Sequence, residues 1–324
     1  MRVNESDFDN CISRLGHITF EQDKGWRLYQ ESGDISYLYF VDDVEHPNMA
    51  CCGRIYTKPF VGKILDITGE VCSDTPSDKV MKGFYKSLIE DSGCDMITYN
   101  SKAVYSVETE IALRRAGFNR PLGSRTCPLT IFVDLVNDNE SKRDRNWKRN
   151  VKKAIENNLT FQFIENPSKD DAVKICQMFD ELSETKHLGY NLEPERLLQL
   201  ITSPGYYLYY VCREGRPICA RIVYIYKKMA EDVFAANSYE SRECSATHFM
   251  MDSVFKAIKS REVNTFDFSR IPPSNNETDS VYAFKKASGG YTVQYLGEWI
   301  WAKKKYTSLF FAIYNFYYRK AHHY

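Results

Sequence analysis

The side chains that could do chemistry here are cations and amides rather than nucleophiles. Ten cysteines occur, at Cys11, Cys51, Cys52, Cys72, Cys94, Cys127, Cys176, Cys212, Cys219 and Cys244. None has a second cysteine at CxxC spacing or a histidine in nucleophile context, so neither a zinc site nor a covalent thiolate mechanism is spelled out. Most lie in apolar runs such as YYVCREGRPICARIVYIY, where a thiol packs as a small hydrophobe in a reduced, cytoplasmic protein. The conspicuous cations are Arg149, Lys152 and Lys153, beside Lys148, and the pair Lys285 and Lys286 ahead of Gly289 and Gly290. The first group suits a phosphate clamp and suits an ordinary solvated helix face equally well. The second sits where a helix dipole favours positive charge.

These residues need elements to position them. β-Rich runs at 35–41, 49–56 and 63–67 precede a helix at 77–91, a strand at 95–99, a helix at 106–116 and a strand at 129–135. The polar, basic stretch NDNESKRDRNWKRN then leads into a helix with Trp147, Val151, Ala154 and Ile155 on one face and its cations off that face. Beyond it come a strand at 160–164, helices at 169–184 and 194–201, and strands at 206–213, 218–226 and 230–238. A helix at 245–259, a strand at 265–268, a helix at 279–287 and a strand at 291–296 follow. This β-α-α-β-β-β-α-β-α-β order is that of the GNAT fold. The expected class is therefore α+β/α/β, two tandem GNAT-like (acyl-CoA N-acyltransferase-like) domains at 1–140 and 141–324. Asn237 and Tyr239 end a central strand, where they would line a donor or acceptor channel or serve as turn residues.

A repeat supports duplication: DMITY, a gap and ALRRAGF parallels NTFDF, a gap and AFKKASGG. Length agrees, since 324 residues exceed what one core usually organises. Lysine plus arginine balance aspartate plus glutamate at 43 each, which leaves no global field to steer the chain onto DNA, so attraction must come from local patches. No apolar run reaches the roughly 18 residues needed to span a bilayer, and MRVNESDFDN lacks the apolar core of a secretory signal.

Three segments together resemble the FemABX (Fem-type) family of aminoacyl and acyl transferases. Gly117–Phe118, TIFVDL and the basic helix RNWKRNVKKAIENNL are similar to the family's end-of-domain strand and interdomain helix. AANSYESRECSATHFMMDSVFKAIKSREVNTFDFSR resembles the heart of its second domain. VYAFKKASGGYTVQYLGEW resembles its phenylalanine-lysine motif before a glycine-rich turn. The resemblance implies that Lys285 stabilises charge during acyl transfer and that Phe284 belongs to the same site. An amine attacking an ester or thioester builds an oxyanion, which a fixed cation stabilises. It further implies an acyl or aminoacyl donor, aminoacyl-tRNA or acyl-CoA, an amine acceptor on a lipid-linked, peptidoglycan-like precursor, and no bound cofactor or metal.

One departure bears on the donor. GNAT acetyl-CoA sites hold pyrophosphate on a glycine-rich loop at a helix start, whereas SYESRECSATH has no glycine. A GNAT-like N-acyltransferase working from acyl-CoA or acyl-carrier protein on a sugar or small amine is the alternative. The segment WIWAKKKYTSLFFAIYNFYYRKAHHY is expected as a helix on the second domain. Its aromatic residues and lysines serve either as a last core face or as a peripheral contact with the inner face of the membrane.

Overall fold

The computed structural model describes residues 1–30, 35–73, 76–123, 126–137, 140–186, 191–271 and 280–322. The chain folds as two compact units, one of residues 1–129 and 294–324, the other of residues 130–293.

The first unit begins with β1 (Arg2–Val3), α1 (Glu5–Arg14), β2 (His17–Ile18) and α2 (Lys24–Gln30). Neither helix is read from the sequence, because α1 is rich in serine, aspartate and asparagine, weak helix formers that hide its Phe8, Cys11 and Ile12 stripe. Next come β3 (Ser36–Val41), β4 (Met49–Lys58), β5 (Gly62–Thr68) and β6 (Val71–Cys72), with β3, β4 and β5 paired antiparallel in sequence. Helix α3 (Asp78–Ser92) is capped by Ser77, buries Met81, Phe84, Tyr85 and Leu88 at helical spacing, and stops at left-handed Gly93. It crosses to β7 (Met96–Val104), which runs parallel to β5, and α4 (Val107–Ala116) follows, capped by Ser106 and ended by Gly117.

The second unit repeats the order. β8 (Leu129–Asp134), α5 (Arg145–Glu156), β9 (Thr160–Ile164), α6 (Lys169–Lys186) and α7 (Pro194–Ile201) lead to the antiparallel β10 (Tyr206–Arg213), β11 (Arg216–Tyr226) and β12 (Met229–Asn237). After α8 (Tyr239–Glu243), helix α9 (Ala246–Lys259) crosses to β13 (Thr265–Arg270), parallel to β12, and α10 (Ser280–Ala287) follows. Helix α9 stands between β12 and β13 as α3 stands between β5 and β7.

The expected division at 140/141 is corrected by where the strands pair. β8 pairs antiparallel with β13, so the strand after α4 belongs with the second unit. β14 (Tyr291–Ala302), the strand after α10, pairs antiparallel with β7, Trp299 opposite Tyr99. Each unit thus takes its closing strand from the other half of the sequence. Strand β7 has β5 on one edge only, and its other row of backbone groups finds its partners in β14. Trp299 and Leu296 enter a core with Phe84, Tyr99, Leu113 and Phe118. Helix α11 (Lys305–His322) follows and buries Phe311 against Val61, Ile64, Met96 and Ile300. The expectation that this helix docks on the second domain is therefore wrong.

All ten cysteines are unbridged, and only Cys72 and Cys127 are not fully buried. Among the described residues no helix is long and apolar enough to cross a membrane.

Truncating Trp299 tests the strand exchange. Trp299→Ala should cost about 3–5 kcal/mol in urea unfolding, with amide protection lost in β7. Loss confined to β11 and β12, or a cost below about 1 kcal/mol, would contradict it.

Candidate functional site

A cavity of about 730 Å³ opens in the second unit, between β11 and β12, the start of α9, α5 and α10. Its floor depends on one irregularity. Ile222 lies opposite Phe234 but Val223 opposite Asp232, so Val233 is an extra residue in β12. Side chains alternate faces along a strand, and Asp232 would otherwise point away from Ala235 and Asn237. The bulge brings all three to the cavity.

Arg221, buried in β11, presents Nε 3.5 Å from Asp232 Oδ1 and 3.0 Å from Met251 Sδ. Burial raises the Asp232 pKa; the Arg221 and Lys285 cations oppose this, and Asp267 adds to it. Lys285 enters from α10. Its Nζ donates to the carbonyls of Phe268 at 2.6 Å and Arg270 at 3.1 Å. Those carbonyls flank Ser269, whose φ of 57° accompanies a shift in the β13–β8 register, and the lysine takes up carbonyl groups at that break. Burial lowers the Lys285 pKa, the Asp232 and Asp267 carboxylates raise it, and the Arg221 charge lowers it. Its neighbour Lys286 is exposed, so only the first lysine of the pair faces the site.

Phe284 turns to the same side. It stacks on Trp147 of α5 at 5.1 Å between centroids, and both meet His248 of α9 edge-on, at 5.0 and 5.1 Å. Burial pushes His248 down to about 4, so the ring is neutral near pH 7; its Nε2 lies 3.3 Å from Asn150 Nδ2. Three aromatic rings thereby tie α5, α9 and α10 together behind Lys285.

The structure brings together Lys285, Phe284, Asn237 and Lys153, which all line the cavity. Asn237 Oδ1 accepts from Cys219 Sγ and Thr247 Oγ1, both at 3.1 Å. Tyr239, Arg149 and Lys152 are not brought to the cavity wall. The Tyr239 hydroxyl donates to Glu184 at 2.8 Å and its backbone N–H to Glu181 at 2.7 Å. Arg149 donates to Asn146, and exposed Lys152 lies 3.8 Å from Glu156. Helix α5 packs by Trp147, Val151 and Ala154, whereas Ile155, expected on that face, is exposed. Eight residues beyond Trp147 the helix has turned about 80° off the packed stripe, while seven residues bring it nearly back. Asn150, Arg221, Asp232, Thr247 and His248 were not anticipated. Arg221 alone carried a signal, as a lone cation inside the apolar run ICARIVYIY.

Residues 213–319 match the FemAB family. No curated protein matches the chain. Among solved structures, FemX superposes with a TM-score of 0.78 at 11% identity, over 96% of this chain and 99% of that one. L-PGS from Bacillus licheniformis gives 0.63 at 14%, over 96% of each chain. A tandem GNAT protein from the clavulanic acid biosynthesis pathway gives 0.52 at 10%, over 94% and 98%. At these identities the likeness is one of fold, the expected tandem GNAT-like architecture. The FemAB segment includes Arg221, Asp232, His248 and the Phe284–Lys285 pair. Over this segment the chain is similar to the FemAB family, and in fold it is similar to FemX.

Proposed function

We propose that this cavity passes an aminoacyl group from its ester on tRNA to a primary amine of a cell-envelope, peptidoglycan-like precursor. The observation that carries the reading is the mounting of Lys285. An ammonium has three N–H donors, and two are taken by the carbonyls of Phe268 and Arg270, which leaves one for the cavity. A cation so fixed needs no reorganisation when negative charge develops.

In the reaction the acceptor nitrogen attacks the ester carbonyl, a C–N bond forms and the carbonyl oxygen becomes an oxyanion, to which Lys285 donates. The amine then loses a proton to Asp232, the carboxylate in the same wall. The ester C–O bond breaks, and the proton passes to the departing ribose oxygen, restoring Asp232. The groups removed from the cavity wall narrow the anion-binding expectation: Lys153 with Arg242, rather than Arg149 or Lys152, would meet a phosphate of the donor or acceptor. L-PGS, similar in fold, makes a lipid-linked acceptor an appropriate class to assay. The glycine-free SYESRECSATH segment disfavours acyl-CoA as donor, and the setting would be cytoplasmic, where aminoacyl-tRNA is found.

The substitution Lys285→Met keeps the bulk and removes the charge. It should lower kcat by about 10²–10³ with KM little changed, in a steady-state assay with aminoacyl-tRNA. Full turnover in this variant would remove Lys285 from the mechanism.

The pH dependence follows from the two shifts. Catalysis needs Asp232 ionised, and its raised pKa brings the acid limb in above the ordinary 3.8. It also needs Lys285 protonated, and its lowered pKa brings the alkaline limb in below 10.5. A bell narrowed on both sides is expected in kcat/KM. Lys285→Arg should move the alkaline limb outward, because a guanidinium does not titrate there, and Asp232→Asn should leave only the acid limb set by deprotonation of the acceptor amine.

Donor class is read from thermal unfolding. A donor at a hundred times its Kd stabilises the fold by about 2.7 kcal/mol. A shift is expected with aminoacyl-tRNA and none with CoA; the reverse would favour the N-acyltransferase alternative.

A further inference from the structure

Helix α11 is held to the first unit by one stripe and leaves an apolar one in water. Thr307 and Phe311 are buried. Tyr306, Phe310, Ile313, Tyr314 and Tyr317 recur at i, i+4, i+7, i+8 and i+11, a single helical stripe, and every one is exposed. A second element extends the patch. Phe60, at the turn between β4 and β5, is 81% exposed, its ring nearly parallel to Phe310 at 6.0 Å. Its φ of 64° is a conformation a bulky aromatic residue rarely adopts. The turn therefore holds a large ring outward, next to the ring that α11 supplies.

Cations border this patch. Lys58, Lys303 and Lys304 line a shallow cavity of about 290 Å³ with Phe60, Tyr306 and Asp95. Lys58 Nζ lies 3.4 Å from the centre of the Tyr314 ring, and Lys304 Nζ lies 5.6 Å from that of Tyr306. Lys305 adds a further charge, and no aspartate or glutamate follows Glu298 in the sequence.

We infer that this face docks on an anionic phospholipid surface, its rings at the boundary between headgroups and acyl chains and its lysines on headgroup phosphates. An exposed aromatic stripe bordered by lysines is the pattern of a helix lying in a bilayer interface. A second copy of the chain is the poorer occupant. A two-fold contact sets the same patch against itself and would bring the two lysine clusters together. Protein interface cores, moreover, are depleted in lysine. Binding here is independent of the transfer chemistry, so it stands or falls without an activity assay.

The test is co-sedimentation of the full chain with vesicles of phosphatidylglycerol and phosphatidylcholine, and with phosphatidylcholine alone, at low and high salt. Pelleting is expected with the anionic vesicles only, and it should weaken with salt. Each lysine removed should weaken binding by about fivefold. The triple variant Lys303→Glu, Lys304→Glu, Lys305→Glu should therefore lose about a hundredfold or more in partition. Phe60→Ser with Phe310→Ser, both at exposed sites, should also release the protein while circular dichroism stays unchanged. Equal pelleting on neutral vesicles, or none on either, overturns the inference. So does a concentration-dependent dimer in sedimentation velocity that the Phe60→Ser, Phe310→Ser variant dissolves, since the patch would then be a self-interface.

Discussion

Arg221 is a guanidinium buried in a β-strand, and much of the second unit's site answers to it. A buried charge left unpaired costs several kcal/mol, so a carboxylate has to stand beside it. Regular alternation along β12 would deny it one, because Asp232 would then point to the opposite face. The extra residue at Val233 supplies the partner. Once Asp232 is there, the low-dielectric wall acts on every charge in it. Asp232 is driven toward its neutral form and Lys285 toward its own, while their mutual attraction and Arg221 act on each in turn. Groups shifted by burial and by specific charged neighbours in this way are candidates for acid–base and electrostatic roles.

The lysine would be of little use if α10 could slide. It is held at both ends of its reach: Nζ on the carbonyls around Ser269, and the preceding Phe284 in the ring cluster with Trp147 and His248. Arg143 adds a third tie, donating to the Ser288 carbonyl just past the helix at 2.9 Å. Gly289 and Gly290 are required here for a reason of space. A Cβ at Gly289 would lie 2.7 Å from the Lys142 carbonyl oxygen, and one at Gly290 would lie 2.6 Å from that of Phe132. The glycine turn thus lets the chain pass close to backbone as it leaves the helix that carries the site.

Duplication gives both units the same sequence of three strands, helix, strand and helix, and each sets an arginine against an aspartate on neighbouring strands: Arg221 and Asp232 in the second unit, Arg54 and Asp66 at 3.2 Å in the first. The first unit also carries Glu70, in the turn between β5 and β6, buried and accepting from Ser101 and from the backbone N–H groups of Lys102 and Ala103, a satisfied structural carboxylate. The exchange of closing strands, β8 to one unit and β14 to the other, makes each half of the sequence necessary to the fold of both.

Local pattern alone determined most of the elements. The 3.6-residue stripe of α3, its Ser77 cap and Gly93 stop are local facts, and so are the β-rich runs that became β3, β4, β10 and β11. The Phe284–Lys285 pair was legible as well, because its motif is contiguous. What tertiary structure decided is whatever depends on pairing between distant segments. Whether β14 closes the first unit is a matter of which strand edge lacks a partner, and nothing in YTVQYLGEW states that edge's identity. Whether Asp232 faces the cavity depends on one surplus residue in a register, which the string MAEDVFAAN does not mark. Which of Arg149, Lys152 and Lys153 reaches the cavity depends on the phase of α5 against its neighbours, a rotation of 100° per residue that is defined only once Trp147 has found Phe284 and His248.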